Sequence, residues 1–208
     1  MPSSNQSILH LSQTAQRDVP RDLMRATLAA EAIDPDAGKV QSEMNQRMSA
    51  ALTRIKQTAG ITGETGGYNV YRETPDNQPA RWHGSQTVTL TSKDFASLLT
   101  LIGALQQQGL VTQELAPDIS REARQSVEDA LTDEALTRLK QRADRIAATA
   151  GVKLQGIRSL TVGNVNAPPP IVRPMMHMMA AAAPAPVAEA GDATVSITAT
   201  AEFALAPP

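Results

Sequence analysis

Apolar residues recur at every second position near the end of this chain. Ala193, Val195, Ile197, Ala199, Ala201, Phe203 and Leu205 share one parity, and Thr194, Ser196, Thr198, Thr200 and Glu202 take the other. A period of two is that of a strand with one face buried. A one-residue slip would turn the whole apolar face to water, so packing must fix its register. The segment before it, residues 166–191, is rich in Pro, Met and Ala and has no such period. That order predicts a linker of about 25 residues that delivers a terminal strand from a distance. The expected destination is an edge of a sheet already built, in its own chain or in a neighbouring subunit.

Periodicity predicts the remaining elements. Leu9, Leu11 and Ala15 alternate with His10, Ser12, Thr14 and Gln16, a strand that Asp18 to Asp22 interrupts. Met24, Ala26, Leu28, Ala30 and Ala32 alternate in the same way, so LMRATLAAEA is read as a second strand despite good helix formers in it. Asp34-Pro35-Asp36 opens a helix with Val40, Met44, Met48, Ala51, Leu52 and Ile55 at helical spacing, and Gly60 stands where a capping glycine belongs. GITGETGG is read as a turn leading into a hairpin. Tyr68 and Val70 share a face of its first arm and Trp82, Val88 and Leu90 a face of the second, joined through Pro75 to Pro79.

A second helix runs from about Lys93 to Gln108, with Phe95, Leu98, Leu99, Ile102 and Leu105 inward and Gly109 as its stop. A short strand from Leu110 to Leu115 precedes the longest helix, Ser120 to Ala150, whose apolar line is Val127, Leu131, Ala135, Leu139, Ala143, Ile146 and Ala150. Val152 to Val165 reads as a strand with an irregularity at Gly156. The order β-β-α-β-β-α-β-α-β-linker-β predicts an α+β fold, a largely antiparallel sheet with helices packed on one face. Residues 1–7 are expected to be a disordered start, 8–165 an α+β domain, 166–191 a linker, and 192–208 the strand that completes the domain.

Composition narrows the function classes. Only five residues of 208 are aromatic, so Leu, Ile, Val, Met and Ala must build the core. Nineteen basic and twenty-one acidic residues give a net charge of -2 without a basic run, which argues against a nucleic acid partner. The absence of cysteine removes disulfides, thiol catalysis and thiolate metal sites. No run approaches the ~18 apolar residues of a transmembrane helix. The opening Met-Pro-Ser-Ser-Asn-Gln has neither the basic nor the apolar region of a signal peptide.

Taken in order, several stretches carry a family likeness: the opening strand followed by VPRDLMRATLAAEA, the helix with Asn45 to Met48, GGYNVYRE followed by RWHGSQTVTL, EALTRLKQRADRIAATAGVKL, and the PPP-to-MMHMMAAAA segment before the closing strand. On these the chain resembles the SIMPL-domain family of bacterial cell-envelope proteins, from about Ile8 to Leu205. It departs from many relatives at LHLSQTAQ, where they carry a glycine-rich first strand, and at Trp82 to Ser85. The resemblance implies an exported periplasmic or cell-envelope protein whose signal peptide has been removed. It also implies self-assembly into ring-like or channel-like homo-oligomers, and a role in oxidative stress without an established reaction.

Candidate chemistry is sparse. Met175, Met176, His177, Met178 and Met179 combine soft thioethers with one imidazole, a set that suits Cu(I) and survives oxidising conditions. The competing reading is a flexible apolar segment lying in a groove. His10 and His83 fall on polar strand faces and read as surface or hydrogen-bonded groups. Gly60, Gly63, Gly66 and Gly67 follow a helix and precede a strand, the reverse of a phosphate loop, and lack its Lys and Ser/Thr. No Gly-x-Ser-x-Gly elbow is present. The acidic pairs Glu128 with Asp129 and Asp133 with Glu134 read as solvated helix charges. Tyr68, Tyr71 and Trp82 gather three of the five aromatics on one hairpin and are the candidate interface anchors. The chain is therefore read as a non-enzymatic homo-oligomer that uses no cofactor, with metal or oxidant handling through the Met/His segment as the alternative.

Overall fold

A computed structural model describes residues 7–74, 79–164 and 191–207. The elements in chain order are β1 (Ile8–Pro20), β2 (Leu23–Asp34), α1 (Ala37–Gln57), β3 (Ile61–Glu73), β4 (Arg81–Ser92), α2 (Phe95–Gln107), β5 (Leu110–Asp118), α3 (Arg121–Thr149), β6 (Lys153–Asn164) and β7 (Asp192–Ala206). This is the expected α+β order, and every strand pairing is antiparallel. The strands divide, however, into two sheets: β1-β7-β6 and β3-β4-β2-β5. Each sheet belongs to one of two compact units, and each is described in turn.

In the four-stranded unit, Met24, Ala26, Leu28 and Ala30 of β2 and Val88 and Leu90 of β4 turn one face to the helices. Met48, Ala51 and Ile55 of α1 and Leu98, Leu101, Ile102 and Leu105 of α2 close over them. Asp36 caps α1, its Oδ1 accepting from the Gly38 and Lys39 amides at 2.7 and 3.2 Å, and Asp94 caps α2 through the Ser97 amide at 3.0 Å. The C-cap of α1 is Thr58, two residues before the predicted glycine. Gly60 instead takes φ +76 and starts the turn into β3, where its carbonyl accepts from the buried Ser92 hydroxyl at 2.8 Å.

GITGETGG is a strand for most of its length. Gly63 and the Gly66-Gly67 pair lie inside β3, and the glycine pair forms a bulge between Thr65 and Tyr68. The turn reading fails because Gly63 and Gly66 serve close approach, and Gly67 completes the bulge. A Cβ on Gly63 would stand 2.8 Å from Ile55 Cγ2, and one on Gly66 would stand 2.4 Å from Thr87 Oγ1.

In the three-stranded unit, α3 packs on β1 and β7. Leu131, Ala135, Leu139, Ala143 and Ala147 form its buried stripe in steps of four, facing Ala15 and Val19 of β1 and Val195, Ile197, Ala199, Ala201 and Phe203 of β7, all buried. Val127 and Ile146 are half-buried and Ala150 is exposed, so the stripe is shorter than the pattern suggested. The alternation of β7 is used from Val195 to Phe203, while Ala193 and Leu205 at its ends are half-buried. Its place is not the expected edge: β7 lies between β1 and β6 of its own chain, hydrogen-bonded to both. β6 shows the irregularity at Gly156, with φ +154, and a second one at Arg158.

Candidate functional site

Strand register assembles a side-chain cluster on the face of the four-stranded sheet that points away from its helices. Tyr71 stands opposite His83, and His83 opposite Ile33, so β3, β4 and β2 contribute one residue each to a row across the sheet. The next row pairs Glu73 with Arg81, and the row on the other side holds Asn69, Ser85 and Glu31. Tyr71 is 51% exposed and Ile33 is 56% exposed. The result is a short apolar and aromatic ridge between polar rows.

The ridge is held from one end. Glu73 Oε2 accepts from Arg81 Nε at 3.1 Å and from His83 Nε2 at 2.6 Å. A carboxylate only accepts, so the imidazole carries its proton on Nε2. The His83 ring stacks on Tyr71, with centroids 5.4 Å apart and planes 12° from parallel. The Arg81 guanidinium and then the His83 ring hold the Glu73 carboxyl below its ordinary value. Glu73 thus sets the imidazole orientation, and the imidazole sets that of the tyrosine.

The cluster orients groups, with His83 more covered than the Glu73 that holds it. At this place on the sheet Tyr71 and Ile33 keep about half of their surface open to solvent among the described residues. Among the described residues no group of three or more His, Asp or Glu is placed to hold a metal ion. Between α1 and α2 a shallow groove is lined by Arg54, Thr58, Ser97 and Thr100. No helix among the described residues is long and apolar enough to cross a membrane.

The three aromatic candidates separate. Tyr68, on the helix-facing side with Val70, is 46% exposed, and Tyr71 lies on the opposite face. Trp82 is half-buried against Ala32, Val40 and Met44, so its ring belongs with the packing of α1. His10 is exposed, 3.4 Å from Glu202. Glu134 pairs with Arg138 and with Arg17 across to β1, as solvated helix charges do. Met175, Met176, His177, Met178 and Met179 lie outside the described residues.

Sequence reasoning passed over Glu73 and Arg81. Their signal was their two-residue spacing from Tyr71 and His83 on facing arms of one hairpin. It also passed over the apolar row of β6, Ile157, Leu160 and Val162, which the structure leaves exposed.

Comparison with known proteins returns little beyond the fold family. No curated protein matches. Solved structures match about half of this chain at 14% identity: AtUAH in complex with glyoxylate (57% of this chain, 33% of that one, TM-score 0.33) and a putative amidohydrolase/peptidase from Burkholderia cenocepacia (50%, 28%, TM-score 0.28). AtUAH with (S)-hydroxyglycine gives the same coverage at TM-score 0.30. The chain spans about a third of the length of those solved chains, and likeness this slight says nothing of activity. The informative match is to the family described as "Protein of unknown function (DUF541)", which covers residues 9–203. With its whole element order inside that match, the chain belongs to the SIMPL family.

Proposed function

We propose that this is a non-enzymatic, exported cell-envelope protein that works by assembling with copies of itself, in a binding or structural role linked to oxidative stress. The observation that carries the reading is where apolar surface remains. Of the large hydrophobic side chains exposed among the described residues, Ile8 lies on β1, Tyr68 and Tyr71 on β3, Val111 on β5, and Ile157, Leu160 and Val162 on β6. All four are edge strands. Ile33 alone sits on an interior strand. Edges normally carry charge or proline to prevent association, and apolar side chains beside unpaired backbone groups invite it.

Light scattering and sedimentation over a hundredfold dilution test the assembly. A defined mass above one chain of 22.1 kDa is expected. A monomer at every concentration overturns the reading. Compartment is tested separately, by fractionating cells that express the full-length gene product.

The second reading rests on the Met175 to Met179 run itself. Stoichiometric Cu(I) binding that disappears when Met175, Met176, Met178 and Met179 become Leu would put metal handling first. Unchanged assembly in that Leu variant, which conserves apolar volume, keeps self-assembly first.

A further inference from the structure

The geometry points to the two edges of the three-stranded sheet as the joint between copies, with β6 of one copy adding to β1 of the next. This inference rests on the self-assembly reading above and says which surfaces carry it. β1 and β6 each pair only with β7 among the described residues and form the two edges of their sheet. Both run antiparallel to β7, hence parallel to one another. Head-to-tail addition therefore forms a parallel ladder and continues the sheet as β1-β7-β6-β1-β7-β6.

The side chains on the two edges match in level and in character. On the helix face, Phe203, Ala201 and Ala199 of β7 stand opposite Leu9, Leu11 and Gln13 on one side and opposite Ile157, Leu160 and Val162 on the other. Ile157, Leu160 and Val162 are 54%, 45% and 38% exposed, and Leu9 and Leu11 are half-buried. Set beside one another, the two rows continue the apolar face of β7 at the levels of Phe203 and Ala201, and Gln13 ends it at the level of Ala199. β1 keeps an uninterrupted register from Ile8 to Pro20, and β6 keeps one from Ser159 to Asn164. The free edges of the other sheet are less suited: β3 is broken by its glycine bulge, and β5 by a bulge and by Pro117.

The position of α3 decides between a second copy of β6 and a copy of β1 as the occupant. α3 lies over β1 and β7, tied to β1 by Arg142 to Gln13 at 2.8 Å and by Glu134 to Arg17 at 3.6 Å, and reaches only slightly over β6. Pairing β6 with β6 would put both helices on the far sides and leave a doubled apolar row uncovered. It would also bring together two strands whose only ionisable groups are Lys153 and Arg158. Pairing β6 with β1 brings the next α3 alongside. At about 4.8 Å per strand, successive helices stand about 14 Å apart, wider than the ~8–10 Å of direct helix packing. Ile157, Leu160 and Val162 then fill the floor between them. The interface is heterologous and closes into a ring if the rotation per copy permits.

The chain has no cysteine, so introduced thiols report the joint directly. Leu160→Cys combined in one chain with Leu9→Cys, Leu11→Cys or Gln13→Cys is oxidised in the assembled protein. At least one pair is expected to give a series of covalent multimers, while every single-cysteine chain stays uncross-linked. A covalent dimer from Leu160→Cys alone means that β6 meets β6 and overturns the proposal. Failure of all three pairs in a protein that is still assembled overturns it too, and leaves self-assembly standing. Leu160→Glu and Leu11→Glu provide a second measurement, with circular dichroism to confirm folding. Each alone should fall to one chain, and an equimolar mixture should form a one-to-one pair and nothing larger, since one intact edge of each kind remains. A mixture that stays monomeric overturns the head-to-tail joint.

Discussion

Gly84 lies so close beneath Met44 that a Cβ on it would stand 2.7 Å from the methionine sulfur and 2.5 Å from Val40 Cγ1. The missing side chain lets the first turns of α1 descend onto β4 between Trp82 and Gln86. Gly84→Ala is expected to lower stability by about 1–3 kcal/mol through overpacking, read as an earlier urea midpoint at an unchanged slope. A variant as stable as the parent would show that α1 shifts freely at this point.

Trp82→Ala should act on folding first. Its half-buried ring packs with Ala32, Val40 and Met44, and truncating a packed tryptophan costs about 3 kcal/mol. Thermal melting reads that loss. The assembled mass of the remaining folded protein should not change, and a stable but dissociated variant would return Trp82 to the interface.

Glu73 gives a pH signature. Arg81 and His83 lower its carboxyl pKa in the folded chain, so the folded state favours the ionised form. Its contribution is complete above the ordinary 4.5 and is lost as pH falls through the lower folded value. Glu73→Gln should be less stable than the parent at neutral pH, with the difference closing in acid. A difference that stays constant down to acid unfolding would place the effect in shape and not in charge.

Ending the chain at Gly191 should unfold the three-stranded unit. Val195, Ile197 and Phe203 are buried, at about 1.5–3 kcal/mol each, a sum comparable with the whole stability of a small domain. Limited proteolysis would detect it as rapid cleavage within α3 and β1. Survival of a protected α3 would mean that β1 and β6 find another partner.

The elements were legible because their periods are clean: Val195 to Phe203 of β7 are buried at every odd position, and Val40, Met44, Met48, Ala51 and Ile55 of α1 are buried as the stripe predicts. Composition misled at Gly63 and Gly66, where glycine marks a close approach within a strand and not a turn. Tyr71 and His83 were visible as residues, but the bond from His83 to Glu73 depends on the register between β3 and β4. The exposure of Ile157, Leu160 and Val162 was hidden for another reason. An apolar strand face is buried or bare according to where a helix lies, and the helix period of α3 does not say which strands it covers.

The central place of β7 also sets a timetable for synthesis. Within its sheet β1 leaves the ribosome before β6 and β7, yet its hydrogen-bonding partner is β7, and Ser12 meets Thr200 across 188 residues. β6 cannot substitute, because it touches β1 only through β7. Closing so long a loop before any contact rewards it makes this unit slow to form. Until β7 emerges, the nascent three-stranded unit carries two orphan strands and a helix with half its floor missing. The four-stranded unit, whose strands all lie between Leu23 and Asp118, does not wait for β7, so the two sheets of one chain form on different schedules.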